Sequence, residues 1–148
     1  MKKTNLSKET LQQIFNHAVS EYPDECCGIV TKNEQTEKVH QCKNIQNELH
    51  KSDPVRHCRT AATAYAIDRD EATRIFSEAY KSGGTVAAFY HSHPDHEAYF
   101  SEEDIAAQTV FGEPEFPQAL QIVVSVRLGI INNHKCFCWD GKNFEELI

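Results

Sequence analysis

Residues 89–104, FYHSHPDHEAYFSEED, follow the short apolar run TVAA and gather side chains of the types that bind metal ions. These sixteen positions hold three histidines, five acidic residues and two serines. Two interpretations are open from this stretch alone. It is either a polar turn between a strand and a helix, or a metal site.

His91 and His93 lie two positions apart at the end of a predicted strand. Side chains at positions i and i+2 of a strand leave the same face, so both imidazoles can converge on one ion. Asp104 falls in the first turn of the helix predicted to follow, where it can supply a third, oxygen ligand. Three protein ligands leave one position for water, as in catalytic rather than structural zinc sites.

A purely structural interpretation accounts for the same residues. Ser101 and Asp104 belong to a segment with the spacing of a helix capping box, and His-Ser-His-Pro can form an ordinary polar turn. The stretch by itself therefore does not decide between metal binding and helix capping.

Two longer helices are predicted outside this stretch. The first begins after Ser7, which has the position of an N-cap, and ends just before Pro23. The second begins after Asp68, another N-cap, and stops at Gly83-Gly84. The apolar stripe of this second helix consists of Ala72, Ile75, Phe76, Ala79 and Tyr80.

Alternating and apolar runs predict the strands. They are two hairpin strands within residues 27–45, strands at 60–67 and 85–92, an apolar run at 119–131, and a hairpin at 135–147 around Asp140-Gly141. Residues 44–59 are predicted to be a loop, 101–111 a short helix, and 112–117 a turn-rich connection. Helices and strands mixed in this way favour an α/β or α+β sandwich, as a single domain over residues 1–148.

Composition narrows the function classes. A chain of 148 residues can bury a core without disulfides, so a metal site here is expected to be functional. Its 15 basic and 22 acidic residues give a formal charge of −7, which argues against nucleic acid as a partner. The start MKKTNLSKETLQQ has no apolar signal core, and no run of about 18 apolar residues occurs, so a cytoplasmic protein without membrane partners is expected.

Cysteine usage agrees with that compartment. The six cysteines lack the context of a short secreted chain, so free thiols are expected rather than a disulfide framework. They are Cys26, Cys27, Cys42, Cys58, Cys136 and Cys138.

A second acidic motif lies 66 residues before the first histidine of the pair. In EYPDECCGIV, Glu25 stands between the first predicted helix and the first predicted strand. Together the two stretches resemble the JAMM, or catalytic MPN-domain, metalloprotease family. Its pattern is Y-P-x-E-x-C-G, then H-S-H-P, with seven residues between the second histidine and a serine, and two more between that serine and an aspartate. This chain keeps every spacing, with Tyr22-Pro23, Glu25, Gly28, His91 to Pro94, Ser101 and Asp104.

The resemblance extends over nearly the whole chain and implies a fold and a site. The fold is a central mixed sheet flanked by helices, a cytidine-deaminase-like MPN sandwich. His91, His93 and Asp104 would be the ligands of one Zn²⁺ per chain, and water would take the fourth position. Glu25 would be the general base, and Ser101 would donate a hydrogen bond to the oxyanion.

Some positions depart from this pattern or compete with it. Many members have proline before the serine, where this chain has Phe100. His96 and Glu97 are alternative ligands within the same loop, although a position in solvent is the simpler expectation for both. Arg56 and Arg59 can engage a substrate carboxylate or be ordinary surface charges. A second zinc at His134, Cys136 and Cys138 is another alternative to simple packing.

The resemblance implies a zinc-dependent peptidase or isopeptidase of the compact prokaryotic stand-alone type. Its substrate would be the Gly-Gly tail of a ubiquitin-like or sulfur-carrier protein, lying along a sheet edge beside the zinc. Two alternatives stay open. One is a non-catalytic MPN scaffold, and the other is a hydrolase that acts on peptidoglycan peptides or releases cysteine from a carrier protein.

Overall fold

A mixed six-stranded sheet carries the fold. The structure is a computed structural model that describes residues 6–34 and 36–147. Its helices are α1 (Lys8–Glu21), α2 (Gln46–Ser52), α3 (Arg69–Lys81) and α4 (Glu102–Gln108). Its strands are β1 (Cys27–Asn33), β2 (Thr36–Cys42), β3 (Thr85–Pro94), β4 (Thr109–Val110), β5 (Glu113–Pro114), β6 (Leu120–Arg127), β7 (Ile130–Trp139) and β8 (Phe144–Glu146).

The strand order of the main sheet is β2-β1-β3-β6-β7-β8, and β4 pairs with β5 in a separate small hairpin. Strand β3 runs parallel to β6, and the other neighbouring pairs are antiparallel. The sheet is therefore mixed, with β3 inside it.

Helices cover the two faces of the sheet. On one face, Ile14 and Ala18 of α1 pack in a core cluster with Tyr90. On the other face, Ile75 of α3 packs in a cluster with Phe89. The alternation of β3 thus sends neighbouring residues into different cores. This arrangement confirms the predicted mixed sheet flanked by helices.

Both longer helices begin where the sequence predicts. The hydroxyl of Ser7 accepts from the Thr10 amide, and the carboxylate of Asp68 accepts from the Glu71 amide. The predicted apolar stripe of the second helix is wrong for one residue, since Tyr80 is 85% exposed and lies outside the core. The hairpin of β1 and β2 is also confirmed, although Gln35 in its turn lies outside the described residues.

The region 44–67 differs from its prediction. Residues 46–52 form α2 rather than a loop; seven residues are too few to show a helical period. Residues 60–67 form turns rather than a strand, with a single bridge between Asn44 and Ile67. Their backbone groups bond to side chains instead of a neighbouring strand. The Asn44 side chain, for example, donates to the Ala64 carbonyl and accepts from the Ala66 amide.

Two further departures are small. The hairpin of β4 and β5 occupies the end of the predicted helix and the predicted connection, since α4 stops at Gln108. The apolar run 119–131 divides into β6 and the start of β7 at a turn through Leu128 and Gly129, both with positive φ. Within the described residues, no helix combines the length and apolar character needed to cross a lipid bilayer.

The glycine in Cys-Cys-Gly leaves space for a core aromatic ring. A Cβ added at Gly28 would lie 2.2–2.3 Å from ring atoms and the hydroxyl of Tyr90. Tyr90 is 1% exposed, and its hydroxyl lies 2.7 Å from Nδ1 of the buried His17. The ring is therefore confined on both sides, so β1 can approach β3 only with glycine at this position.

We expect Gly28→Ala to lower the free energy of unfolding by about 1–3 kcal/mol or more, because the new methyl overpacks the core. Urea unfolding of Gly28→Ala, Tyr90→Leu and the double variant would measure this. The penalty of Gly28→Ala should shrink in the Tyr90→Leu background. An equal penalty in both backgrounds would contradict the proposed clash with Tyr90.

Candidate metal centre

The two histidines are positioned by a strand that is paired along both edges. His91 lies opposite Cys27 of β1 and Val123 of β6, and His93 lies opposite Ser125 of β6. Both imidazoles leave the same face of β3, as predicted, and both are at least nine-tenths buried. Their backbone positions are thus set by the sheet.

The two outer strands of the main sheet do not lie next to the strand that carries the histidines. The edges of the main sheet are β2 and β8, and β1 and β6 separate them from β3. A substrate tail therefore cannot pair with an edge strand of this sheet and lie directly beside the histidines.

Hydrogen bonds to the backbone of Glu25 and of the next residue hold Glu25 beside the histidines. Ser92, between the two histidines, faces away from them, and its hydroxyl accepts from the Cys26 amide at 2.7 Å. The Glu25 amide donates to the Ala61 carbonyl at 2.8 Å, and the Asn44 side chain donates to the Glu25 carbonyl at 2.9 Å. The acidic side chain is 5% exposed.

Asp104 caps its own helix and also faces the histidines. The Asp104 amide donates to the Ser101 hydroxyl, and the Ser101 amide donates to Oδ2 of Asp104, both at 3.0 Å. The same Oδ2 lies 3.0 Å from Nε2 of His91 and 3.5 Å from Nε2 of His93. Helix capping and a position beside the imidazoles therefore occur together.

Three atoms form a triangle with the size of a metal-binding face. The third edge, between the two Nε2 atoms, is 3.2 Å. Tetrahedral zinc with ligands at about 2.0–2.1 Å needs neighbouring ligand atoms about 3.3 Å apart. The edges of 3.0, 3.2 and 3.5 Å bracket that separation. His91, His93 and Asp104 thus fit a zinc ion with one position open.

The protonation states of the imidazoles are suited to the same purpose. Nδ1 of His93 lies 2.8 Å from the Glu97 carbonyl, which can only accept, so Nδ1 carries the proton. Its Nε2 is then a lone pair directed at the centre. Burial lowers the pKa of His91 and favours the neutral ring, although Asp104 opposes this effect. The Tyr65 ring stacks on His91 with centroids 4.6 Å apart.

The two carboxylates have opposite electrostatic environments. Burial and the charge of Asp104 raise the pKa of Glu25 to about 9, and Arg59 works in the other direction. Burial also opposes ionisation of Asp104, but the nearby His91 and His93 side chains and the hydrogen bond from the Ser101 amide hold its pKa well below the usual range. Asp104 is therefore ionised, while Glu25 holds a proton at neutral pH unless a cation is bound nearby.

Glu25 is close enough to offer a second ligand set. Its carboxylate oxygen and the ring nitrogens of His91 and His93 all lie within 4.8 Å of one another. The oxygen of Asp104 lies closer to both rings, so the geometry favours Asp104 as the ligand and Glu25 as the neighbouring acid. Within the described residues, no comparable group forms at His134, Cys136 and Cys138.

The remaining residues that the sequence analysis singled out around the histidines make packing contacts or ion pairs, or are exposed to solvent. Phe100, in the place of the usual proline, packs on Phe137 and Phe144 and anchors the loop. The Glu97 side chain pairs with Arg127, and His96 is exposed on the loop. Tyr22 of the Tyr-Pro pair donates to Asp95 at 2.7 Å and holds the turn after the histidines.

The cysteines next to Glu25 are not poised as nucleophiles. No disulfide joins any of the six thiols. Burial raises the pKa of Cys26 to about 12 and also raises that of Cys27, which keeps both thiols protonated. Cys26 packs in the core cluster on the α1 face of the sheet, and Cys27 packs in the cluster on the α3 face.

A cavity of about 300 Å³ lies beside the centre. Two contributors to the site were not predicted from the sequence: the backbone carbonyl of Glu97 and the ring of Tyr65. Arg59, one of two arginines suggested for a substrate carboxylate, lies on the cavity wall. A backbone acceptor leaves no trace in residue identity, and Tyr65 lies in the misassigned region 44–67. The cavity is lined by Glu25, Arg59, Thr63, Ala64, Tyr65, His93, His96, Tyr99, Ser101, Glu103, Asp104 and Ala107.

A family model described as prokaryotic homologs of the JAB domain matches residues 7–139. Among curated proteins, the chain is 34% identical over 101 residues to a tail tip assembly protein K of an Escherichia phage, covering 68% of this chain and 35% of that protein. It is 27% identical over 111 residues to a CysO-cysteine peptidase of Mycobacterium tuberculosis, covering 75% of this chain and 65% of the peptidase. The chain thus spans less than two thirds of either relative.

Solved structures share the fold. A protein of Desulfitobacterium hafniense superposes with a TM-score of 0.67 at 19% identity, over 95% of this chain and 87% of that one. A JAB1/MPN domain protein from Archaeoglobus fulgidus superposes with a TM-score of 0.50 at 19% identity, over 93% and 87%. At these identities the likeness shows the architecture alone.

The raised pKa of Glu25 predicts how the metal-free protein responds to pH. The unfolded carboxyl has a pKa near 4.5 and the folded one a pKa of about 9, so unfolding at intermediate pH releases a proton. The free energy of unfolding should therefore fall as pH rises from about 4.5 to about 9. Relative to Glu25→Gln, which resembles the protonated form, the fall should be on the order of a few kcal/mol.

Urea unfolding after chelator treatment, at several pH values, would measure this difference. Glu102→Gln is the matched control, since Glu102 is an exposed acid on the nearby helix α4. It should keep the wild-type pH dependence. A Glu25→Gln curve parallel to wild type would show that the carboxyl at Glu25 is not held protonated.

Proposed function

This chain belongs to the prokaryotic JAB-domain family, and we propose that it is a zinc-dependent peptidase acting on the Gly-Gly tail of a ubiquitin-like or sulfur-carrier protein. One observation carries the proposal. Two histidine nitrogens and an Asp104 oxygen form a triangle of tetrahedral size, next to the second buried acid, Glu25.

The donor set supports a metal with one open position. His91 and His93 supply nitrogen and Asp104 supplies ionised oxygen, a combination typical of catalytic zinc sites. A bound zinc ion would polarise the scissile carbonyl and lower the pKa of a bound water. The remaining chemistry belongs to the side chains around it.

Glu25 is suited to move protons. A cation at the histidines would favour its ionised form, which can accept a proton from the attacking water. The same carboxyl then passes that proton to the leaving amine as the carbon–nitrogen bond breaks. Its anchored backbone and buried position keep it beside the reacting atoms.

Ser101 is suited to stabilise the developing negative charge. Its oxygen accepts from the Asp104 amide, which leaves the hydroxyl hydrogen to donate toward the cavity. A donor placed before the reaction stabilises the oxyanion without a cost of reorganisation. Because water is the nucleophile, we expect no covalent acyl-enzyme.

The substrate class rests on the similarity to the CysO-cysteine peptidase, supported by the cavity of about 300 Å³ beside the centre. A tail of two glycines has no side chains to exclude from such a space. The second candidate keeps the same hydrolytic chemistry but acts on another peptide, such as one from peptidoglycan. The similarity to a phage tail tip assembly protein is the observation that favours testing it. A non-catalytic scaffold is not favoured, because all five expected residues are present together.

Metal analysis tests the ligand set. We expect about one zinc per chain in the wild type and less than a tenth of that in Asp104→Ala, since two imidazoles alone bind weakly. Glu102→Ala, a neighbouring acid on α4, should retain full zinc. Circular dichroism should show that each variant remains folded. A folded wild type that binds no zinc even when zinc is supplied would exclude the site.

Activity assays test the proton carrier and the oxyanion donor separately. Glu25→Gln should keep zinc and lose about a hundredfold or more in kcat. Ser101→Ala should keep zinc and lose about a hundredfold to a thousandfold. The substrates would be Gly-Gly-extended peptides, carrier-protein conjugates and peptidoglycan peptides. Full activity in Glu25→Gln would assign the base to another residue.

A further inference from the structure

Arg59 lies where a substrate would meet a fixed positive charge. Among the described residues that line the cavity, it is the only lysine or arginine, and it shares the wall with Glu25 and Asp104. Its charge is close enough to lower the pKa of Glu25. The acidic residues of the lining are Glu25, Glu103 and Asp104, so Arg59 is the one permanently cationic side chain among these residues that can attract an anionic substrate group.

The segment that carries Arg59 is fastened to the segment that carries Glu25. The buried Gln46 side chain donates to the Arg59 carbonyl at 3.0 Å, and the Ala61 amide donates to the Asn47 side chain at 2.7 Å. The Ala61 carbonyl in turn accepts from the Glu25 amide. Arg59 is therefore held at a defined place relative to the proposed general base.

The guanidinium retains capacity for a ligand. It donates to Glu103 at 3.0 Å through Nη2 and makes a long contact of 3.5 Å from Nη1 to the Thr63 carbonyl. Two of its five donors are used in this way. The ion pair is half-exposed on both sides, and such pairs contribute little to stability. Its position at the cavity is thus better explained by recognition than by folding.

We propose that Arg59 binds the free α-carboxylate of the residue that follows the scissile bond. This inference rests on the proposed peptidase function and narrows its substrate. The leaving group would be a C-terminal amino acid or a short C-terminal extension. A lysine joined through its side chain to a second protein carries no free carboxylate near the bond, so it would be a poor substrate.

The atom balance of the step is simple. Water adds across the peptide bond, the carbon–nitrogen bond breaks, the tail regains its carboxylate, and the released residue keeps both its amine and its own carboxylate. The planar fork of arginine matches a carboxylate with two parallel hydrogen bonds. Lysine in the same place would keep the charge but not the fork.

A matched pair of peptides tests the inference. Both end in Gly-Gly-Cys, one with a free carboxylate and one with a terminal amide. In zinc-loaded wild type, kcat/KM should be about tenfold or more higher for the free acid, mostly through KM. Arg59→Gln should bring the ratio close to one, and Arg59→Lys should give an intermediate ratio.

Arg56→Gln is the matched control. Arg56 lies three positions earlier in the same segment, is exposed, and is absent from the cavity wall. It should keep the wild-type preference, and thermal unfolding should be similar in all variants. A wild type that does not discriminate between the peptides, or an Arg59→Gln variant that still does, would overturn the inference while leaving the peptidase proposal intact.

Peptide binding separates the two proposals. Calorimetry with zinc-loaded Glu25→Gln should show tighter binding of the free acid, and the additional Arg59→Gln change should remove that difference. If binding depends on the carboxylate but wild type hydrolyses neither peptide, the peptidase proposal fails, and with it the assignment to a leaving group, while Arg59 is still shown to bind a C-terminal carboxylate. If neither peptide binds, the assignment of Arg59 is wrong.

Discussion

The pairing of β3 along both edges is the constraint on which the rest of the site depends. A strand held between β1 and β6 cannot slide, because a shift of one residue would exchange its two faces. That alternation sends His91 and His93 to one side and Ser92 to the other. Ser92 then binds the Cys26 amide and fixes the chain beside Glu25. One strand therefore positions both imidazoles directly and the acid indirectly.

Two carboxylates around one pair of imidazoles have different roles because their surroundings differ. Asp104 receives hydrogen bonds at the start of a helix and stays ionised, whereas burial beside that charge keeps the proton on Glu25. Opposite environments for two neighbouring acids are a common way to separate a ligand or electrostatic role from a proton-transfer role. The same arrangement makes Glu25 responsive to any cation that binds between them.

The segment between α2 and α3 is irregular because side chains, rather than a neighbouring strand, bind much of its backbone. Asn44, Gln46 and Asn47 satisfy backbone groups of residues 59–66 and leave that segment free to form a cavity wall. A regular strand there would have closed the space in front of the histidines. The irregular segment instead places Tyr65 against His91 and Arg59 beside Glu25.

The sequence by itself determined the longer helices and the hairpin strands, because caps and apolar periods are local signals. The residues proposed for the centre followed from the resemblance of two motifs to a known family, and the structure brings those residues together. Only the tertiary structure decided the course of residues 44–67, since α2 is too short to show a period and the segment after it bonds to distant side chains. The contact between Tyr65 and His91 and the place of Arg59 beside the centre depend on residues far apart in the chain, which no local pattern records.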